Sequence, residues 1–226
     1  MPSAELAIDR PAFRGEPGDR VTFASGLQVE IVARAQLPTR HGHFEMIAFE
    51  NNQDGQDHVV FVHGDVVGRR AVPARVHSEC LTGDVFGSIK CDCRAQLEAA
   101  IEGIAAEECG MILYMRQEGR GIGLANKIRA YSLQDRGFDT VEANLHLGFD
   151  DDLRRYDVAA AMVHLMGVES VHLMTNNPRK VAGLRDHGVL VESRSAIETE
   201  PTEFNRFYLL TKKQKSGHLL ERVNES

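Results

Sequence analysis

The sequence predicts an α/β fold: a single domain on a mixed sheet flanked by helices, with a strand-rich N-terminal part. Three observations predict it. Apolar and polar residues alternate through "LQVEIVARAQLPT", "HFEMIAFE" and "DHVVFVHGDV", the period of half-buried strands. Beyond Cys93 the apolar residues recur at helical spacing, and short apolar runs alternate with helical stretches, which implies parallel strand pairs. No Pro/Ser-rich linker divides the chain after its first residues, so its 226 residues read as one domain with ample length for a core.

Taken in order, residues 1–26 are rich in Pro, Gly and charge and read as a poorly ordered arm, leaving 27–226 as the folded domain. Three strands follow, the second and third joined by the polar turn "NNQDGQ". After Cys93, Leu97, Ile101, Ile104 and Ala105 share a helical face, and Gly110 stands where that helix would stop. "MILYM" reads as a buried strand and "RQEGRGIG" as a glycine-rich loop. Leu124, Ile128 and Tyr131 form one face of the next helix. "DDDLRRYDVAAAMVHLMG" reads as a helix capped by its acids and ended by its Gly. Strand "VHLMT", loop "NNPRK", short helix "VAGLRDHG" and strand "VLVE" come next. The tail "FYLLTKKQKSGHLL" is expected to pack back on the domain.

Composition narrows the function. Net charge is -7, which argues against a general nucleic-acid surface, and the lack of Trp offers little for stacking bases. A small anionic ligand in a locally positive pocket stays compatible. No apolar run approaches the roughly 20 residues of a membrane helix. The N-terminus lacks an apolar stretch and carries Glu5, Asp9, Glu16 and Asp19, so a cytoplasmic protein with reduced thiols is expected.

In that setting "CLTGDVFGSIKCDC" stands out. It holds Cys80, Cys91 and Cys93, three of the four cysteines, as C-x10-C-x-C. Metal binding or catalysis explains it better than a disulfide. On an extended segment Cys91 and Cys93 would point to one side, and Gly83 and Gly87 would let the chain turn back from Cys80. Three thiolates suit Zn²⁺ and leave a fourth position for water, so catalytic zinc is the favoured reading; a structural site with His77 as fourth ligand is the alternative. The following helix would favour thiolates at its N-terminus. Cys109 reads as a small buried hydrophobe.

Other segments could hold an anion and a base. Arg75 and His77 lie just upstream of the cysteines. In "EGRGIG", Glu118 could accept from guanine N1–H and its amine, and Arg120 could fork onto phosphate; a plain turn is an equal reading. In "TNNPRK", backbone N–H groups and Lys180 could hold phosphate, against a solvated pair of Arg179 and Lys180. The bland reading of "DDDLRRYD" is a helix cap, and that of Tyr131 is a core residue.

Four stretches together, "RVHSECLTGDVFGSIKCDCRAQLEAA", "RQEGRGIGLANKIRAYSLQDRGFDTVEAN", "LGFDDDLRRYDVAAAM" and "LMTNNPRKV", resemble the GTP cyclohydrolase II family of riboflavin biosynthesis. The tail "TKKQKSGHLL" also looks like that family's. The resemblance implies zinc-dependent opening of the GTP imidazole ring with release of formate and pyrophosphate. It implies Cys80, Cys91 and Cys93 as zinc ligands. The implied GTP contacts are Arg75, Val76, His77, Ser78, Glu79, Gln96, Glu118, Gly119, Arg120, Thr140, Thr175 and Lys180. Asp152 matches the proposed proton acceptor, Arg154 the proposed nucleophile and Tyr131 an active-site tyrosine. Because a guanidinium stays protonated, electrostatic stabilisation of the departing pyrophosphate suits Arg154 better than attack. Mg²⁺ with the triphosphate and a homodimer are implied too. At 226 residues, cyclohydrolase activity alone is expected, without the dihydroxybutanone phosphate synthase often fused to this unit. Two alternatives remain: a homologue that keeps the formyl group, against which Tyr131 leans, and a zinc-stapled nucleotide-binding regulator without turnover. No nucleic-acid or membrane partner is expected.

Overall fold

A computed structural model describes residues 15–223. Among the described residues eight strands form one mixed sheet: β1 (Arg20–Thr22), β2 (Gln28–Thr39), β3 (Gly42–Asn51), β4 (His58–His63), β5 (Val72–Ser78), β6 (Gly110–Met115), β7 (Val171–Met174) and β8 (Val191–Ser195). Their order across the sheet is β1-β2-β3-β4-β6-β5-β7-β8. The β1–β4 meander and its junction with β6 are antiparallel. The β6-β5-β7-β8 half is parallel, as the alternation of strand and helix required. Six α-helices among the described residues flank it: α1 (Cys93–Ala105), α2 (Leu124–Gln134), α3 (Thr140–His146), α4 (Asp157–Leu165), α5 (Pro178–Arg185) and α6 (Arg206–Gln214).

The sheet separates two cores. Met111, Leu113 and Met115 of β6 point into the larger one, with Val60, Val76 and α4. Ile112 points the other way, to Ile104 of α1 and Phe44. Every residue of α4 is buried, which fits a helix apolar on nearly all sides.

Several boundaries differ from the sequence reading. The folded chain starts before residue 27: β1 pairs with β2, and Val21 and Phe23 enter the core. Residues 1–14 of the expected arm lie outside the described residues. Gly110 opens β6 instead of stopping α1; a Cβ there would stand 2.9 Å from both Ile104 and the Pro73 carbonyl. The acidic run is not a helix cap, since α4 begins only at Asp157. Residues 150–156 form an irregular strap, tied to the glycine-rich loop by Leu153 N–H donating to the Arg120 carbonyl at 3.0 Å. On α2, Leu124 and Ile128 face outward while Lys127 and Ala130 are buried, so the apolar period located the helix but not its inner face. The separate α3 had its own signal in "DTVE": Asp139 and Glu142 form a reciprocal capping box.

Candidate active site

The parallel strands end together, and their C-terminal loops build one cleft, the usual ligand position for such sheets. Alternation along β5 sends Val76 into the large core and turns Arg75 and His77 to the cleft, with Ser78 and Glu79 at its rim.

The chain then makes a tight turn, Leu81–Val85, and comes back at Cys91. The Sγ atoms of Cys80, Cys91 and Cys93 all lie within 4.8 Å of one another, with Cys80 and Cys91 at 3.7 Å. The expected extended segment is absent: Cys93 is the first residue of α1, and the turn into that helix aims its thiol at the others. Gly83 leaves the space; a Cβ there would stand 2.9 Å from Cys91 Sγ and 3.2 Å from Cys80 Sγ. Buried Asp84 fixes the turn by accepting from Cys80 N–H (3.0 Å), His77 Nε2 (3.1 Å) and the Tyr114 hydroxyl (2.9 Å). His77 gives its Nε2 to Asp84 while its Nδ1 is buried without a partner, and the metal-competent group among the described residues is the three cysteines alone. Three clustered free thiols with an open centre fit Zn²⁺.

The cluster has a cation beside it. Lys127 Nζ lies 3.1 Å from Cys80 Sγ and 2.6 Å from Glu118 Oε1. Hydrogen bonds from the other two thiols, with help from Lys127, hold the Cys80 thiol far below its usual range, while the Cys80 interaction pushes Cys91 up to about 11. Tyr131 is no core residue. Its hydroxyl meets Thr82 Oγ1 at 3.3 Å, and that oxygen lies 3.6 Å from Cys80 Sγ. Burial pushes the phenol up to about 12, so it is a neutral donor at ordinary pH.

Glu118 is more engaged than the sequence suggested. Its Oε2 accepts from Leu81 N–H at 2.7 Å, and its Oε1 accepts from Lys127 and from Gly119 N–H at 2.8 Å. A carboxylate has about four acceptor positions, so one remains, on Oε2. Gly119 and Arg120 both take left-handed backbone, with φ of 62° and 61°. For an Arg that conformation costs on the order of 1 kcal/mol or more. It is held by Leu153 on the Arg120 carbonyl and by Arg120 Nη1 donating to Asp151 (2.6 Å) and Ser216 (3.1 Å). The loop is therefore a built feature, not a plain turn.

The same cleft also gathers cations. Arg75 donates to Gln96 Oε1 (2.6 Å) and the Met174 carbonyl (3.2 Å), and burial pushes it down to about 10. Gln96 in turn donates to Asp92 at 2.5 Å. Lys180, opening α5, is buried and donates to the Val76 carbonyl at 2.7 Å; burial, then Arg154, Arg75 and Lys212, push its pKa well below the ordinary value. Its neighbour Arg179 is half exposed, so the two are not a solvated pair. Arg154 forks onto Asp152 through Nε (2.8 Å) and Nη2 (2.6 Å). Burial opposes ionisation of Asp152, but that fork outweighs it and leaves the carboxyl below its usual range. Thr140 and Thr175 complete the lining, whereas Val76 and Asp152 do not reach it.

Sequence reasoning missed Lys127, Asp84, Lys212 and His218. Lys212 on α6 donates to buried Asp92 at 2.8 Å, between two of the cysteines in the chain. No spacing rule joins positions so far apart.

This geometry can be compared with known proteins. The sequence profile of GTP cyclohydrolase II matches residues 30–196. The chain is 52% identical over 191 residues to the GTP cyclohydrolase-2 of Picrophilus torridus, covering 84% of this chain and 99% of that one. The chain belongs to the GTP cyclohydrolase II family. The GTP cyclohydrolase-2 of Tolumonas auensis is 53% identical over 192 residues, covering 85% of this chain and 98% of that one. The riboflavin biosynthesis protein RibBA of Bacillus subtilis is 55% identical over 185 residues, but they make up only 46% of it. Within the described residues no helix is long and apolar enough to cross a membrane.

Proposed function

We propose that this GTP cyclohydrolase II is a zinc enzyme that opens the imidazole ring of GTP, releasing formate and pyrophosphate. The product would be 2,5-diamino-6-(5-phosphoribosylamino)pyrimidin-4-one, at the start of riboflavin biosynthesis. One observation carries the reading: a three-thiol cluster and a set of buried cations line the same cleft. Cys80, Cys91 and Cys93 would hold Zn²⁺, which supplies a Lewis acid able to activate water at neutral pH.

The chain's own residues divide the remaining work. Tyr131, a neutral phenol above the thiols, can give a hydrogen bond or a proton to the opening ring. Arg75, Arg120, Arg154 and Lys180 meet the triphosphate, together with Mg²⁺ brought by the nucleotide. The free acceptor position on Glu118 Oε2 suits one guanine N–H. Asp152, locked behind Arg154 and out of the lining, is placed to aim the guanidinium at the leaving pyrophosphate. A cytoplasmic homodimer is the expected working form.

The test is to incubate the protein with GTP and Mg²⁺ and measure formate, pyrophosphate and the ultraviolet spectrum of the product. Equal formate and pyrophosphate are expected, and ATP should be a very poor substrate. Pyrophosphate without formate would favour the formyl-retaining chemistry. Tight GTP binding without turnover would favour a regulator.

A further inference from the structure

The C-terminal segment brings an unassigned side chain into the cleft. After α6 the chain turns at Gly217, whose φ is +67°. His218 N–H donates to the Lys212 carbonyl at 3.0 Å, and Leu219 N–H donates to the Asn176 carbonyl at 2.8 Å. Ser216 beside it receives Arg120 Nη1 at 3.1 Å. The backbone is thus stitched to both loops of the cation end. The imidazole of His218 lines the cleft, and its Nδ1 is buried without any protein partner. Arg120 Nη2 and Arg75 Nε, in the same cleft, are also buried without partners.

The surroundings of that ring are one-sided. Lys212 faces it from α6, Arg154 from the 150–156 strap, Arg120 from the glycine-rich loop and Lys180 from α5. The nearby carboxylates are spoken for: Asp151 by Arg120 and Arg179, Asp152 by Arg154, and Asp92 by Lys212. A buried polar atom is seldom left unpaired unless a ligand or water completes it. A group of multiple negative charge, rich in acceptor oxygens, is the complement of these donors.

We propose that His218 is a ligand of the triphosphate, delivered into the cleft by the C-terminal segment and donating through Nδ1 to a phosphate oxygen. This rests on the reading of the cleft as the GTP site. It follows that the segment from α6 to Leu219 is part of the binding site and not only a cover for the core. Burial, then the cations, push the free ring down to about 3, so it is neutral before the ligand arrives. A bound polyanion offsets those cations, so binding raises the ring's pKa and favours proton uptake.

Pyrophosphate with Mg²⁺ is the probe, because it binds without turnover. Calorimetric titration of the zinc-loaded enzyme, in buffers of different ionisation enthalpy, gives both affinity and protons taken up. The wild type should take up protons. His218→Leu should bind about tenfold more weakly and lose that uptake. His218→Asn, whose amide nitrogen stands near the place of Nδ1, should keep most of the affinity but not the uptake. Lys180→Met separates the proposal from the reading beneath it. If Lys180→Met weakens binding and His218→Leu does not, the His218 proposal is overturned while the cleft remains the phosphate site. If Asn loses as much as Leu, the ring acts by shape and the proposal also fails. If neither Lys180→Met nor His218→Leu weakens binding, the assignment of the cleft itself is wrong.

Discussion

The two ends of the cleft are built on opposite plans. Around the thiols most supporting charges are paired within the protein: Lys127 with Glu118, and His77 Nε2 and the Tyr114 hydroxyl with Asp84, although His77 Nδ1 is buried without a partner. At the other end, buried donors lack partners on Arg75, Arg120 and His218, and Lys180 has only a backbone carbonyl among its hydrogen bonds. The difference teaches what each end waits for. A metal held by thiolates needs its ligands fixed and their charge balanced beforehand, so the protein supplies the counter-charges. A polyanion brings many acceptors of its own, so donors aimed at it are best left without internal acceptors. Two arginines of this set do have internal carboxylates: Arg120 is paired with Asp151, and Arg154 is held by Asp152 in a two-bond fork. That fork fixes a charge in place while leaving the guanidinium in the lining.

The largest expected effect separates the two ends directly. Cys91→Ser removes a ligand from the thiol end and should drop both zinc content and formate release to background. With its cations intact, the variant should still bind GTP and release pyrophosphate. Arg154→Ala removes a preorganised charge and should slow pyrophosphate release by roughly 100–1000-fold. Formate should fall in step if release of pyrophosphate comes first. Both products are measured in the same samples of each variant. A Cys91→Ser protein that binds GTP yet yields no pyrophosphate would join the two ends into one inseparable centre.

A smaller effect tests how tightly the thiol end is built. Gly83→Ala places a methyl group 2.9 Å from Cys91 Sγ, inside normal contact distance. Backbone strain is not the reason, because the clash is with the thiols. Zinc affinity in a chelator competition should fall by about 10–100-fold, the range for disturbing the support of a metal ligand. Pyrophosphate affinity should stay at the wild-type value. Unchanged zinc affinity would mean that the turn can move away from the thiols and does not set their spacing.

The two ends were also unequally legible in the sequence. Three cysteines within one short stretch announce a metal site, because the ligands are chemically distinctive and close in the chain. Part of the sheet was legible for a similar reason: alternation is local and placed β2, β3 and β4, and a short apolar run placed β6, whereas β1 and β5 were not read as strands. The cation end draws Arg75 from β5, Arg120 from a loop, Arg154 from the strap, Lys180 from α5 and His218 from the tail. Each of these residue types is ordinarily solvated, and only the topology brings them together. The family resemblance supplied Arg75, Arg120, Arg154 and Lys180, but the tail entered it without a role. Lys127 was hidden by the outward-facing Leu124 and Ile128, which made the wrong side of α2 look like the inner one. The acids at 150–152 look like a helix cap in isolation. In the structure Asp151 and Asp152 hold Arg120 and Arg154, work that cannot be read without knowing where those arginines sit.

The smallest effect concerns the ligand-free protein. His218 titrates at about 3 when folded, against an ordinary value near 6.5, because burial and then the cations around it disfavour its charge. Between those values the unfolded chain binds a proton that the folded chain refuses. Stability then rises with pH in that window, and it is lost as the pH falls below about 6.5. One such group gives a slope of at most about 1.4 kcal/mol per pH unit. Buried His58 and His77 are also held below their usual range and contribute in the same direction. The useful quantity is therefore a difference between two proteins that share them. Urea unfolding at pH 6.5, 6.0, 5.5 and 5.0, above most carboxylate titrations, should show wild type losing stability more steeply than His218→Gln. Saturating pyrophosphate with Mg²⁺ should flatten the wild-type curve in part, since the anion offsets the cations but not the burial. Parallel curves for the two proteins without ligand would mean that neither burial nor the cations hold this ring below its ordinary value. The contrast between a charge-balanced thiol end and an unbalanced phosphate end would then lose its most direct support.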